Sequence, residues 1–226
     1  MADAASTGSR IAGGMTYCVT VCADGAPADN VFFPNTESDK AEKHAGTPAF
    51  TVHGEHCALP YAVRVYTRSG DLSPQEGDRI TAGVLQALEH TRITFSAHDK
   101  DSELYKVNEM AANQPHTMSA DLAALLAASD SIWRLSRGLF DPTASRVGDE
   151  AGACKGQWTS LQRQGNVLTK SVDGVRLDMG GIAKGWGIDR ICETVFDFQK
   201  ESRAEGEVCG ALVEWAGDVR VVGSKG

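Results

Sequence analysis

Residues 178 to 189 read DMGGIAKGWGID: an acid, a glycine pair, a lysine and a second acid among apolar residues. Such a stretch can hold an anion. The first amides of a helix lack partners and carry a partial positive charge, so a phosphate seated there is stabilised. Gly180 and Gly181 let a ligand approach the backbone, and Lys184 brings an ammonium to a helix start, where the helix dipole opposes a cation. Two familiar phosphate loops are excluded by spacing, because neither Gly-x-x-x-x-Gly-Lys-Ser/Thr nor Gly-x-Gly-x-x-Gly is present here. On these residues alone two readings stand: an anion site, or a tight turn with close helix packing and a solvated Lys184.

Two other groups carry candidate chemistry. Asp141 precedes Pro142 in LFDPT, which biases its backbone toward extended geometry and fixes its carboxylate at a corner. Capping that turn is its simplest role. His53, His56 and Cys57 are zinc-ligand types, but three in a loop-like stretch without a fourth at suitable spacing make a weak case.

The DMGGIAKG corner needs a strand before it and a helix after it. NVLTK and GVRLD read as two short strands, and Ile188, Ile191, Cys192, Val195 and Phe196 recur at helical spacing after Lys184. Lys184 is then expected in the first helical turn. SADLAALLAASDSIWRLSRG predicts the clearest helix, with Ser119 as N-cap, Asp121 in the first turn and Gly138 as stop. Leu122, Leu125, Leu126, Ile132 and Trp133 form its core face. Tyr61, Val63 and Val65 alternate as in a strand, Ile80, Val84 and Leu88 fall four apart as in a helix, and ITF is expected as a strand after it. ALVEW and VRVVG read as strands around a tight AGD turn. Residues 1–54 lack apolar period, with YCVTV and VFF the only strand-like pieces, and are expected to form a flexible or accessory region. Residues 55–226 are the expected folded domain.

A chain of 226 residues with 42% hydrophobic and 23% charged residues can bury a core. Its net charge of −8 and the lack of any basic run give no reason for nucleic-acid binding, so an anionic ligand must be held by a local site. No apolar run approaches the ~18 residues of a membrane helix, and the start MADAASTGSRIAGG has neither a basic leader nor an apolar core. A soluble intracellular protein, in cytoplasm or an organelle lumen and without a membrane partner, is expected. Cys18, Cys22, Cys57, Cys154, Cys192 and Cys209 are dispersed and form no Cys-x-x-Cys pair, as reduced thiols would be.

From about residue 57 onward the chain resembles the ApbE-type FAD:protein FMN transferases. LDMGGIAKGWGIDR resembles their Asp-x-Gly-Gly-Ile-Ala-Lys-Gly-x-x-x-Asp signature. In the same order, ALPYAVRVY resembles the opening strand, SAHDKDSELYKVN the Asp-Ser-Glu-Leu-x-x-Leu-Asn box, SRGLFDPT the Gly-x-Phe-Asp-Pro-Thr corner and VEWAGDVRVVG the Gly-Gly-Asp hairpin. The resemblance implies an α+β fold with a mixed, largely antiparallel sheet and packed helices, incomplete at the C-terminus. It implies FAD contacts at Ala58, His98, Leu139, Phe140, Asp141, Asp178 and Lys184, with the Gly181 carbonyl on Mg²⁺. Ala58 stands where the family usually has Met, His98 where it often has an aromatic residue, and Ala216 replaces the first hairpin glycine.

The implied reaction is Mg²⁺-assisted transfer of FMN from FAD to a protein Ser/Thr hydroxyl with release of AMP. Family members continue past this hairpin into a segment with the remaining metal ligands and a His-containing box. Catalytic groups are therefore expected beyond Gly226, and this chain is expected to be a truncated product or the front of a longer polypeptide, weak or inactive alone. The alternative is a non-catalytic FAD-binding module of a larger redox protein such as a fumarate reductase. The acceptor would be another protein or the chain's own tail, where DAASTGS at residues 3 to 9 resembles the modified sequence, with Ser9 as acceptor and Asp3 and Ser6 as recognition residues.

Overall fold

A computed structural model describes residues 48–68, 72–144, 157–201 and 208–223, without the side chains of 198–201. YCVTV, VFF, Ser9 and its flanking residues lie outside these residues. The described elements are β1 (Phe50–His56), β2 (Leu59–Thr67), α1 (Pro74–Phe95), α2 (Glu103–Glu109), β3 (His116–Thr117) and α3 (Ala120–Leu135). A 3₁₀ turn at Trp158–Ser160 follows, then β4 (Leu161–Gln164), β5 (Val167–Lys170), α4 (Gly180–Glu201), β6 (Val208–Trp215) and β7 (Asp218–Gly223). This is an α+β protein with antiparallel sheets. It divides into two compact units, Met1–Leu85 with Ile188–Gly226 and Gln86–Gly187, the boundaries falling within α1 and α4.

The first unit holds a four-stranded sheet in the order β1-β2-β6-β7. Period-2 alternation puts Val52, Tyr61, Val63, Val65, Ala211, Val213 and Trp215 in the core, and the register aligns Val63 with Val52 and Val213 and Tyr61 with Trp215. Its two-residue hairpins need left-handed backbone at both turn positions. Cys57 and Ala58 supply it at φ 53° and 60°, Ala216 and Gly217 at 50° and 89°. Ala216 thus adopts the conformation a glycine would take. β1 includes residues 50–54, read from sequence as loose. Only Val52 of that stretch is buried, so the strand has little apolar signal to show.

α1 begins on a capping box, Ser73 Oγ accepting from Glu76 N–H at 3.3 Å while Glu76 accepts from Ser73 N–H at 2.8 Å, with Pro74 first in the helix. ITF is its last turn and no strand. Phe95 keeps the helical phase of Ile80, Val84 and Leu88, and Thr91 and Thr94 hydroxyls bond back to the carbonyls of Ala87 and His90 at 2.8 Å.

The second unit holds a three-stranded sheet in the order β3-β5-β4, with Leu168 and Lys170 of β5 buried. α3 starts at Ser119, whose Oγ accepts from Leu122 N–H at 3.2 Å. It ends where Gly138, at φ 82°, donates its N–H to Trp133 O at 2.8 Å. Leu122, Leu125 and Leu126 are buried as expected, whereas Ile132 and Trp133 are half-buried. In the α4 turns of this unit, Trp186 is buried edge-on against Phe95 at 4.9 Å between ring centres.

GVRLD is not a strand. From Val175 to Gly180 residues alternate buried and exposed as a strand's would, but no ladder pairs them. Leu177 is paired by the Asn108 side chain of α2, Val175 by Lys170 of β5 and Asp178 by Pro142, as described below.

Candidate functional site

The corner is built by alternation. Val175, Leu177 and Met179 point inward and Arg176, Asp178 and Gly180 outward, so the Asp178 carboxylate is exposed immediately before the helix. α4 begins at Gly180, four residues before Lys184, which places Lys184 in the second turn instead of the first. Asp178 Oδ1 accepts from Gly180 N–H at 2.8 Å, and Met179 O accepts from Ile182 and Ala183 N–H at 2.9 and 2.8 Å. Gly181 N–H has no partner among the described residues. An exposed amide at a helix start can donate to one anionic oxygen, and the half-buried Lys184 follows one turn on.

The FDPT corner joins it. Asp178 N–H donates to Pro142 O at 2.8 Å, and a Cβ added at Gly181 would stand 3.3 Å from Phe140 Cε2, so a bare backbone keeps that ring close. Asp141 Oδ1 accepts from Thr143 N–H at 2.8 Å and Thr143 Oγ1 at 2.5 Å, and Thr143 Oγ1 accepts from Gln157 N–H at 2.5 Å. Asp141 thus caps its turn, as its place before proline suggests, with one carboxylate oxygen engaged. Leu139, 93% exposed, offers apolar surface beside Phe140. Chain segments more than thirty residues apart in sequence therefore bring Phe140, Asp141, Asp178 and Gly181 together, with Lys184 a turn further along α4.

Two expected contacts are placed by other elements. His98 is exposed in the loop between α1 and α2, its N–H on Ser96 Oγ at 3.3 Å, and Ala58 is exposed at the β1–β2 turn of the first unit. The hydrogen bonds that tie the corner together include neither. His53, His56 and Cys57 make no zinc centre: among the described residues no three His, Cys, Asp or Glu form a metal-binding group. Gly181 lies in the first turn of α4, where carbonyls point into intrahelical bonds. Mg²⁺ takes about six oxygens but draws several from water and substrate phosphates, with one or two carboxylates from protein; the unengaged oxygens of Asp141 and Asp178 are of that kind, whereas the Gly181 carbonyl is not.

The sequence model of the ApbE family matches residues 58–226. The chain belongs to that family. Among curated relatives, the FAD:protein FMN transferase of Chlamydia pneumoniae is 24% identical over 193 residues, 76% of this chain and 57% of the relative. That of Haemophilus influenzae is 22% identical over 201 residues, 78% of this chain and 55% of the relative. The chain spans about half the length of the curated relatives it matches. The flavin transferase ApbE of Vibrio cholerae shares the fold with TM-score 0.62 at 20% identity, over 77% of this chain and 60% of that one. The apo Pseudomonas stutzeri flavinyl transferase ApbE does so with TM-score 0.64 at 21% identity, over 77% and 58%. The α+β architecture expected from sequence is the one these ApbE structures have.

Within this ApbE chain the last acid of the signature has a different place from the first. Asp189 is 5% exposed in the first unit, its Oδ1 paired with Arg220 Nη1 of β7. Burial raises the Asp189 carboxyl above its ordinary range, and Arg220 works against that rise. Sequence reading also missed Thr143, Asn108 and Lys170, which hold the corner's backbone. Thr143 and Asn108 stand in the quoted FDPT and KVN segments, but a residue that bonds backbone has no spacing signature. Among the described residues no helix is long and apolar enough to cross a membrane.

Proposed function

We propose that this protein is an FAD:protein FMN transferase. The carrying observation is the α4 start: an exposed Gly181 amide, the Asp178 carboxylate and Lys184 set against the FDPT corner, in a chain of the ApbE family. The pyrophosphate of FAD is seated at the Gly181 N–H with Lys184 as its cation, and Leu139 and Phe140 give apolar surface to a ring of the dinucleotide. The hydroxyl oxygen of an acceptor Ser or Thr attacks the flavin-side phosphorus. A phosphoester bond forms, the bridging P–O bond breaks, and AMP leaves with the bridging oxygen while the hydroxyl proton passes to solvent or a base. Lys184 and the helix amide stabilise the charge that grows on the phosphoryl oxygens.

Asp141 and Asp178 are held by their turns, so their remaining oxygens are fixed before ligand arrives. His98 and Ala58 enter the proposal on the resemblance alone. So does Mg²⁺. The acceptor is a Ser or Thr of a protein, either a separate one or the Ser9 segment, which lies outside the described residues. Titration of the 226-residue chain with FAD, followed by flavin fluorescence, tests the site. Saturable binding weakened in Lys184→Ala supports it, and no binding at millimolar FAD overturns it. Protein-bound flavin and AMP appearing with an acceptor peptide separate a transferase from a reversible FAD-binding module.

A further inference from the structure

The backbone leading into α4 is held by side chains where a strand would be held by a neighbour. Asn108, at the end of α2 and 6% exposed, donates Nδ2–H to Leu177 O at 2.9 Å and accepts at Oδ1 from Leu177 N–H at 2.7 Å. One amide satisfies both backbone groups of one residue. Lys170, 1% exposed on β5, donates Nζ–H to Asn108 O at 3.0 Å and to Val175 O at 3.2 Å, closing the clamp on both sides of Arg176. A buried amide or ammonium is retained in such a place only when its bonds are made. Burial lowers the Lys170 pKa, with Arg176 in the same sense and Asp173 and Glu109 opposing it.

We infer that Asn108 and Lys170 are positioning residues for the anion site, fixing the register of Val175–Met179 and with it the direction in which the first amides of α4 present themselves. This rests on the FAD reading above. Leu177 is three residues before Gly180, and its buried N–H and O have the Asn108 amide as their partner. Without that amide both groups must find others, and the extended segment turns with them. Asp178 and Gly181 then leave the places that Pro142 and Phe140 set for them.

The test uses the whole chain and two near-isosteric variants. Asn108→Leu keeps the branching of the side chain and loses both bonds. Asn108→Asp keeps the shape and the acceptor, but as a carboxylate it turns a second oxygen toward Leu177 O, and only as the neutral acid can it donate there. Lys170 Nζ bonds the backbone carbonyl of the same residue, and Arg176, Asp173 and Glu109 act on that ammonium. FAD affinity is measured at a temperature where near-ultraviolet circular dichroism shows each variant folded.

Asn108→Leu is expected to weaken FAD binding about tenfold at every pH, the scale of a lost buried hydrogen bond. Asn108→Asp is expected to be as weak at pH 8, where its carboxylate has no proton to give Leu177 O. Two folded variants that bind FAD like wild type would overturn the inference. A wild-type chain that binds no FAD sinks the functional reading instead. The clamp is then decided by hydrogen exchange of the Gly181 to Ala183 amides. Faster exchange in the variants at unchanged global stability upholds it, and unchanged exchange overturns it.

Discussion

Asp178 and Asp189 open and close one twelve-residue motif, yet the fold treats them oppositely. Asp178 is exposed, accepts a single backbone N–H from Gly180, and leaves carboxylate oxygen open at the start of α4. Asp189 is buried and paired with Arg220. The physical difference is where eleven residues of chain lead. Asp178 lies on the outward side of an extended alternation, whereas Asp189 lies among Ile188, Ile191 and Cys192 on the buried side of α4. One acid keeps an exposed carboxylate and the other is paired inside the unit that contains it, so the two ends of the motif meet opposite surroundings.

The largest expected effect comes from breaking the Asp189–Arg220 pair. Asp189→Ala strands the Arg220 guanidinium, which is itself partly exposed, and should lower unfolding free energy by about 2–4 kcal/mol in a urea titration. FAD affinity of the folded fraction should stay within about threefold of wild type, since Asp189 holds no part of the corner. A large loss of affinity at full folding would erase the distinction between the two acids.

The reverse experiment acts on the site. Lys184→Ala should weaken FAD binding by about 1–3 kcal/mol, the range of a charge-assisted hydrogen bond. Isothermal calorimetry at moderate salt on the folded variant measures it. Unchanged affinity would remove Lys184 from the site. Asp178→Ala removes the acceptor of Gly180 N–H and should cost about 1 kcal/mol of stability in the same urea titration, as loss of a helix-start acceptor does.

Acid should also separate them. The folded pKa of Asp189 lies above its ordinary value of 3.8, so the native state holds that proton more tightly than the unfolded chain does. The contribution is present in full below the unfolded pKa and is lost as pH rises through the folded one. Stability of wild type relative to Asp189→Asn should therefore fall as pH rises from about 3.8 through the carboxylate's folded pKa. A difference that grows with pH over that window would show that Arg220 outweighs burial.

The smallest effect is a rate. Burial pushes the Cys192 thiol up to about 11, so iodoacetamide at pH 8 should label exposed Cys57 and spare Cys192 in peptide maps of the native protein. Cys192 is three residues from Asp189, and its labelling should accelerate in Asp189→Ala as the unit opens more often. Equal labelling of Cys192 in both would mean that the Arg220 pair does not govern opening around that turn of α4.

Several features were legible in the residues because each depends on local chemistry. Leu122, Leu125 and Leu126 announce α3 by their spacing, Ser119 and Gly138 its ends, and Tyr61, Val63 and Val65 the alternation of β2. The glycine pair before Lys184 announces a helix start, and the ordered segments around it announce ApbE. Tertiary structure decided the rest. ITF is β-branched and aromatic, but Phe95 holds the helical phase and buries against Trp186, which a window of three residues cannot show. GVRLD alternates like a strand and has no strand beside it. Its partner is the side chain of Asn108, sixty-nine residues away. Lys170, quoted only as the end of NVLTK, is buried because two backbone carbonyls meet its ammonium. Composition and period fix which residues tend inward. Which polar group finds which partner, and so whether an acid such as Asp178 or Asp189 is left open or held, is set only when distant segments of the chain meet.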